Sequence, residues 1–146
     1  MELRYAHLVD HVTFDPLGKP ILVGIFDVVR TTAATEIRMP HAFVFASFSA
    51  SPLEGTEQTL EVRLTGPDGE DAVPRQTFVL RFQPTGARRA FVGQAVVNMS
   101  QITLQSEGEY TIRFYHGDTQ IGETALRVET APTPPVPPEA LGGTES

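Results

Sequence analysis

The chain has 146 residues, of which 40% are hydrophobic and 20% are charged, and its formal net charge at pH 7 is −7. This length favours a single domain that buries about two-thirds of its unfolded surface. The net negative charge argues against general binding of nucleic acid or anionic lipid. The lack of cysteine excludes disulfides, thiolate metal sites and a cysteine nucleophile. Because neither a signal-peptide pattern nor a run of about 18 apolar residues occurs, we expect a cytoplasmic protein without membrane contact.

Alternation of apolar and polar residues with a period of two dominates the chain and predicts strands. In residues 58–66, for example, Leu60, Val62 and Leu64 share one face of an extended chain, while Glu61 and Arg63 share the other. No window has a helical repeat of useful length. Eight strands are predicted, at residues 3–14, 20–30, 41–50, 58–66, 76–83, 90–98, 109–116 and 119–129.

The predicted strands are separated by short segments rich in Gly, Pro and Asp, such as residues 15–20 and 66–71. Many short strands joined by such turns, without helices, indicate an antiparallel sandwich or barrel, and the segment SEGEY at residues 106–110 favours the sandwich. Before the seventh strand, Ile102 and Leu104 are expected to plug the end of the core. The sequence therefore predicts an all-β fold, an immunoglobulin-like antiparallel β-sandwich of about eight strands, over residues 1–130.

Residues 106–110, with the sequence SEGEY, resemble the tyrosine corner of immunoglobulin-like domains. In such a corner a Tyr that opens a late strand, here Tyr110, bonds back to nearby backbone. The usual Asp two residues before Gly108 is replaced by Ser106, and the Cys–Trp–Cys core of antibody domains is absent. The pattern therefore indicates the broad architecture and not the antibody family.

The final stretch, residues 131–146, contains five Pro and two Gly and has little that could be buried. We expect a disordered, solvated tail that resembles polyproline II in its first half. Pro132 and Pro135 have the PxxP spacing of a docking motif, but no basic residue follows Arg127 to orient such a ligand. A plain tail or linker is therefore favoured.

His7 and His11, with Asp10 between them, are candidate metal ligands. On a helix, imidazoles four residues apart lie about 6 Å from each other and share a face. On a strand the same spacing spans about 13 Å, too far for two bonds of about 2 Å to one zinc ion. Because the neighbouring residues favour a strand, the sequence predicts no metal site here and two imidazoles that are half-buried or on the surface.

Asp27 lies in the apolar segment PILVGIFDVVR, residues 20–30. Both faces of this strand are apolar, so we expect it to be covered on both sides. An unpaired buried carboxylate costs several kcal/mol, so Asp27 should find a partner or reach the rim of the sheet. A structural role is favoured over a functional one, with Asp27→Asn expected to lower stability first. Gly24 indicates a bulge or a close approach of another backbone segment.

The segment HLVDHVTFDPLGKPILVGIFDVV resembles the opening of an uncharacterised bacterial family of small β-sandwich domains with a GIFD signature. The later segments GEYTIRFY and LRV are similar to that family's end, so the resemblance spans roughly residues 5–129. It implies a bacterial cytosolic origin and an immunoglobulin-like fold, and it supplies no catalytic residue. The matching residues are Asp10, Val12, Gly18, Lys19, Gly24, Ile25, Phe26 and Asp27.

A well-specified β-scaffold without a convergent polar cluster predicts a non-catalytic module for protein interaction or assembly, with a protein partner or a second copy as its ligand. We expect no catalytic residue, cofactor, metal or nucleic acid. Two alternatives stay open: a small metal-dependent or hydrolytic enzyme using His7, Asp10, His11 and Asp27, and a structural component of a phage or secretion-type assembly. The predicted structural signature is Asp10, Gly24, Phe26, Asp27, Gly108 and Tyr110.

Overall fold

The computed structural model describes residues 1–33, 35–84 and 91–131, with backbone alone at residues 83 and 84. Apart from Ala131, the predicted tail lies outside these residues. The described part contains a 3-10 helix at Pro52–Glu54 and no α-helix. Its strands are β1 Glu2–Phe14, β2 Pro20–Phe26, β3 Val28–Thr31, β4 Ile37–Arg38, β5 Phe43–Ala50, β6 Glu57–Thr65, β7 Gln76–Arg81, β8 Gln83–Pro84, β9 Phe91–Asn98, β10 Thr103–Leu104, β11 Gly108–His116 and β12 Thr119–Thr130.

Two five-stranded sheets carry the fold. The strand order of the first sheet is β2-β1-β5-β9-β8, and that of the second is β3-β12-β11-β6-β7. A small pair, β4 with β10, makes a third sheet. Consecutive strands β5 and β6 lie in opposite sheets, as the B and C strands of immunoglobulin-like sandwiches do, and β11 and β12 take the places of F and G. The predicted immunoglobulin-like sandwich is confirmed.

The inner faces of the two sheets form one hydrophobic core. From the first sheet, alternate residues of β5, including Val44 and Phe48, point inward, and from the second sheet Ile112 and Phe114 meet them. The rings of Phe48 and Phe114 contact edge to face, with centroids 5.3 Å apart. Leu104 is also buried in this core and Ile102 packs against it, as the sequence predicts.

The predicted strand 20–30 is two strands in different sheets. The chain bends at Asp27, leaving β2 in the first sheet and entering β3 in the second. The bend is held by the backbone of β12, because the Arg127 amide donates to the Asp27 carbonyl at 2.8 Å. β3 then runs parallel to β12, whereas the other described strand pairs are antiparallel.

The tyrosine corner is present. Tyr110 is almost fully buried, and its hydroxyl donates to the Ser106 carbonyl at 2.6 Å. Gly108 has a φ of +135° and lies against the ring of Pro67. The corner therefore joins the start of β11 to the 66–71 turn, and the Ser in place of the usual Asp leaves the Tyr bond intact.

We expect Tyr110→Phe to lower the free energy of unfolding by about 1–2 kcal/mol, because the Ser106 carbonyl loses its donor inside the domain. Urea denaturation of both proteins measures the difference. Tyr115→Phe is the control, since the Tyr115 ring contacts the Arg63 guanidinium on the outer face of the second sheet and not the corner. Equal losses for both variants would contradict a specific role of the corner.

Within the described ranges, no helix has the length and apolar character needed to span a bilayer.

Candidate functional site: the outer face of the first sheet

The two outer faces of the sandwich have opposite chemistry. The outer face of the second sheet is charged, as expected for a sheet with one solvated side. Its ion pairs join neighbouring strands or neighbouring positions of one strand. They are Glu57 with Arg81, Glu61 with Arg63, Arg113 with Glu123, Arg127 with Glu109 and Glu129, and Arg30 with Glu129.

Part of the outer face of the first sheet is apolar and aromatic. Side chains that alternate with the core residues of β1, β5 and β9 make this surface, which we call the apolar face. Ladder pairing brings His7, Phe45 and Val96 into one row across three strands. A second row holds Val9 and Phe43. The apolar face consists of Tyr5, His7, Val9, Phe43, Phe45 and Val96.

Aromatic packing gives this face its own layer outside the main core. Phe45 and Val9 have 0% exposure although they do not belong to the core cluster between the sheets. Tyr5 stacks on Phe45 with ring centroids 6.2 Å apart, and it lies 5.6 Å from the ring of His7. His41 meets Phe43 edge to face at 4.8 Å. The aromatic side chains of this surface are therefore fixed by their contacts with one another.

A bulge in β1 brings one cation to this face. The register between β1 and β5 shifts between Leu3 and Tyr5, so Arg4 is the extra residue. Its guanidinium lies 5.8 Å from the Tyr5 ring centroid and donates to the hydroxyl of fully buried Ser47 at 3.4 Å. Arg4 therefore places a positive group at one end of the apolar face.

The residues of the alternative enzyme site are only partly brought together. His7 and Asp27 line one shallow cleft of about 510 Å³ beside the bend between β2 and β3, with Ile25, Thr124 and Ala125 among its other walls. His11 pairs with Val23 farther along the strand, and Asp10 lies against Gly24. In the described part of the chain, no group of three or more His, Asp or Glu side chains converges on a possible metal position.

Asp27 is exposed, and the expectation that both faces of its strand are covered is wrong. Ile21, Val23 and Ile25 are 46%, 49% and 61% exposed on one face of β2. β2 is the edge strand of the first sheet. Its first residues pair with the end of β1, which extends beyond the last residue of β1 that pairs with β5. The burial cost that would demand a partner for the Asp27 carboxylate is therefore absent.

Gly24 is where the predicted close approach occurs. It has a φ of +69°, and a Cβ placed there would lie 2.7 Å from Cγ and 3.0 Å from Cβ of Asp10. Phe26, two residues later, turns inward and packs against the core. Asp10, Gly24 and Phe26 of the predicted signature are thus structural neighbours on the β1–β2 hairpin.

We expect Gly24→Ala to lower the free energy of unfolding by about 1–3 kcal/mol, because Ala is strained at this φ and its Cβ overlaps Asp10. Gly18→Ala is a matched control, since Gly18 has a φ of +83° and open space around it. The difference between the two variants in urea denaturation measures the Asp10 contact. If Gly18→Ala costs as much as Gly24→Ala, the close approach contributes nothing.

Among the described residues, the carboxyl groups of Glu54 and Glu107 have lowered pKa values, and each accepts hydrogen bonds from a distant segment of the chain. The N-terminal ammonium at 2.9 Å and the Ser51 amide at 2.7 Å donate to Glu54 and keep its pKa below the ordinary value. The Thr130 amide donates to Glu107 at 2.9 Å and lowers the pKa of that carboxyl. Neither group lines the cleft beside Asp27.

Sequence reasoning missed the apolar face, although a signal for it exists. The segment FVFASFSA of β5 is apolar at both parities, with Phe43 and Phe45 on the outer side.

Sequence reasoning also missed the contact between His41 Nδ1 and Ser100 Oγ, which are 3.5 Å apart although the two residues are 59 positions apart in the chain. Ser100 there bonds to the backbone of Ala42 through both its donor and acceptor.

Among solved structures, an immunoglobulin-like protein from Pseudomonas aeruginosa aligns over 88% of this chain and 98% of its own, at 15% identity and a TM-score of 0.44. The alkylpurine DNA glycosylase AlkC from Pseudomonas fluorescens, solved bound to DNA containing an abasic site analog, aligns over 84% of this chain and 30% of its own, at 12% identity and a TM-score of 0.38. No curated protein matches.

A family profile described as "Family of unknown function (DUF6941)" matches residues 4–129. The matched segment runs from β1 to β12 and so takes in both sheets. The resemblance to an uncharacterised family of small β-sandwich domains is confirmed. This chain belongs to the family of unknown function DUF6941.

Proposed function

We propose that this protein is a non-catalytic protein-binding module of the bacterial cytoplasm, and that its apolar face receives the partner. The observation that carries the proposal is the contrast between the two outer faces. One face is covered by ion pairs, and the other presents Tyr5 and Val96, which are 37% and 44% exposed, with Arg4 at one end. Exposed apolar side chains over a packed aromatic layer are a candidate interaction site.

The expected partner has an apolar surface that fits between Tyr5 and Val96, with a carboxylate placed to reach Arg4. Tyr and Arg are the side chains that most often dominate protein interfaces, because they bury large areas while keeping a polar end. The chain's net charge of −7 supports neither nucleic acid nor an anionic membrane as the ligand.

A pair of matched substitutions tests this proposal. Val96 is 44% exposed on the apolar face, and Val79 is 55% exposed on the outer face of the second sheet. We expect Val96→Glu to reduce recovery of a specific partner at least about tenfold, because a charge is buried without a counterion at the contact, while Val79→Glu leaves recovery unchanged. Quantitative mass spectrometry of cross-linked complexes from native lysate measures both. Identical partner sets for the parent and Val96→Glu would contradict the proposal.

The cleft lined by His7 and Asp27 is where an active site would lie if the protein were an enzyme. Metal analysis of the untagged protein separates the two functions. Stoichiometric zinc or manganese, together with a melting temperature that collapses on chelation, would favour the enzyme. Co-purification of the chain with a phage or secretion-type particle would favour a structural component of a larger assembly.

A further inference from the structure

β2 ends the first sheet, so the backbone groups on its free side face away from the sheet. Natural proteins usually protect such an edge with charged residues, Pro, or very short strands. The other described edges fit this pattern: β8 has two residues, β3 has four and carries Arg30, and β7 carries Arg81. β2 has seven residues and no charge, and its one protective residue, Pro20, stands at its first position and leaves the rest of the edge uncovered by such a feature.

The side chains of β2 are apolar, as in a strand that has neighbouring strands on both sides. Ile21, Val23 and Ile25 share one face and are between 46% and 61% exposed. All three are β-branched, which suits the packed surface of a continuous sheet. Gly24 has no side chain and lies on the opposite face, against Asp10 of β1.

The sequence around β2 is complementary to itself. If two copies pair antiparallel about a two-fold axis at Val23, each Val23 lies opposite its counterpart and Ile21 lies opposite Ile25 of the second copy. The residues flanking the strand are Lys19 and Asp27, and the same register sets each Lys19 against the other copy's Asp27. Lys19 is well exposed and also contacts Asp15 of its own chain at 3.7 Å.

We propose that two copies of this chain associate through β2 in this register. The pairing is isologous, so one strand supplies both halves of the contact. It joins the first sheets of two molecules into one continuous sheet and sets their apolar faces side by side. Pairing of β2 with a second copy does not require the proposed binding of a partner to the apolar face.

Sedimentation equilibrium over a roughly hundredfold range of concentration tests the association. We expect a monomer–dimer equilibrium for the parent chain, and a dissociation constant at least about tenfold higher for Val23→Glu, which sets two like charges at the axis. Val96→Glu is the control, because Val96 lies on β9 and not on the edge. A parent chain that is monomeric throughout, or a dimer unchanged by Val23→Glu, would overturn the proposal.

Charge exchange tests the register. Lys19→Glu and Asp27→Lys should each weaken self-association, because each sets like charges against one another at both ends of the pairing. In an equimolar mixture, a copy with Lys19→Glu and a copy with Asp27→Lys restore both opposite-charge contacts, so we expect a heterodimer. If the mixture remains as weakly associated as its components, the Val23-centred register is wrong.

The outcomes also separate this inference from the proposed function. Loss of partner recovery in Val96→Glu with an unchanged dimer concerns the apolar face alone. Loss of the dimer in Val23→Glu with unchanged partner recovery concerns the β2 edge alone. Circular dichroism of each variant verifies that the fold is retained, which is expected because both Val side chains are nearly half exposed.

Discussion

Truncation of Phe114 to Ala should lower the free energy of unfolding by about 3–5 kcal/mol, the largest effect that we expect from a single change. Phe114 has 0% exposure and contacts Phe48 across the two sheets. Removal of its ring leaves a cavity that the β-sheets can fill only by moving toward each other, and ladder pairing on both sides opposes that movement.

Phe14→Ala is the matched control for this prediction, because it removes the same ring from a site that is 49% exposed on the β1–β2 hairpin. We expect it to change stability by about 0.5 kcal/mol or less. Urea denaturation gives both values when the curves are fitted with one common m-value, the slope of unfolding free energy against urea concentration. Comparable losses for Phe14→Ala and Phe114→Ala would mean that Phe114 does not lie in a close-packed core.

Gly108→Ala should cost about 3 kcal/mol, because two separate penalties combine at this position. Its φ of +135° is rarely adopted by residues with a side chain. A Cβ at Gly108 would also lie 2.5 Å from Cγ and 3.0 Å from Cβ of Pro67, a rigid ring in the adjoining turn.

A double-mutant cycle separates the two penalties. Pro67→Ala removes Cγ of the ring, so Gly108→Ala in that background should cost about 1 kcal/mol less than in the parent, while the strain in φ remains. The cycle is measured by urea denaturation of the four proteins. An equal cost in both backgrounds would show that the Pro67 contact does not limit this position.

Most of the strands could be predicted from the sequence because alternation is a local property. The predicted strand 109–116 is β11, and 58–66 is β6 to within a residue at each end. The sheet change at Asp27 could not be predicted in this way, because the apolar pattern continues on both sides of the bend. What divides the strand is its ladder with β12, about a hundred residues later. The two-residue strands β4 and β10 are also too short to show alternation.

The candidate site was less predictable than the fold. The strand predicted around His7 and His11 is confirmed, and its pairing sets the two residues opposite different neighbours, Phe45 and Val23. The position of His7 beside Asp27 depends on how the two sheets join at the bend. The first half of β5 is apolar at both parities, which indicates an apolar outer side, but it does not show whether Val44 or Phe45 points outward.

The pairing of β3 with β12 has a consequence for synthesis. Val28 emerges from the ribosome long before Arg127, its partner in the ladder, and domains generally fold as units. The second sheet therefore cannot close until almost the whole domain has been translated. Contacts of such long sequence separation also slow folding. β3 therefore stays without its ladder partner through nearly all of the chain's elongation, and its apolar residues Val28 and Val29 remain exposed until β12 has followed.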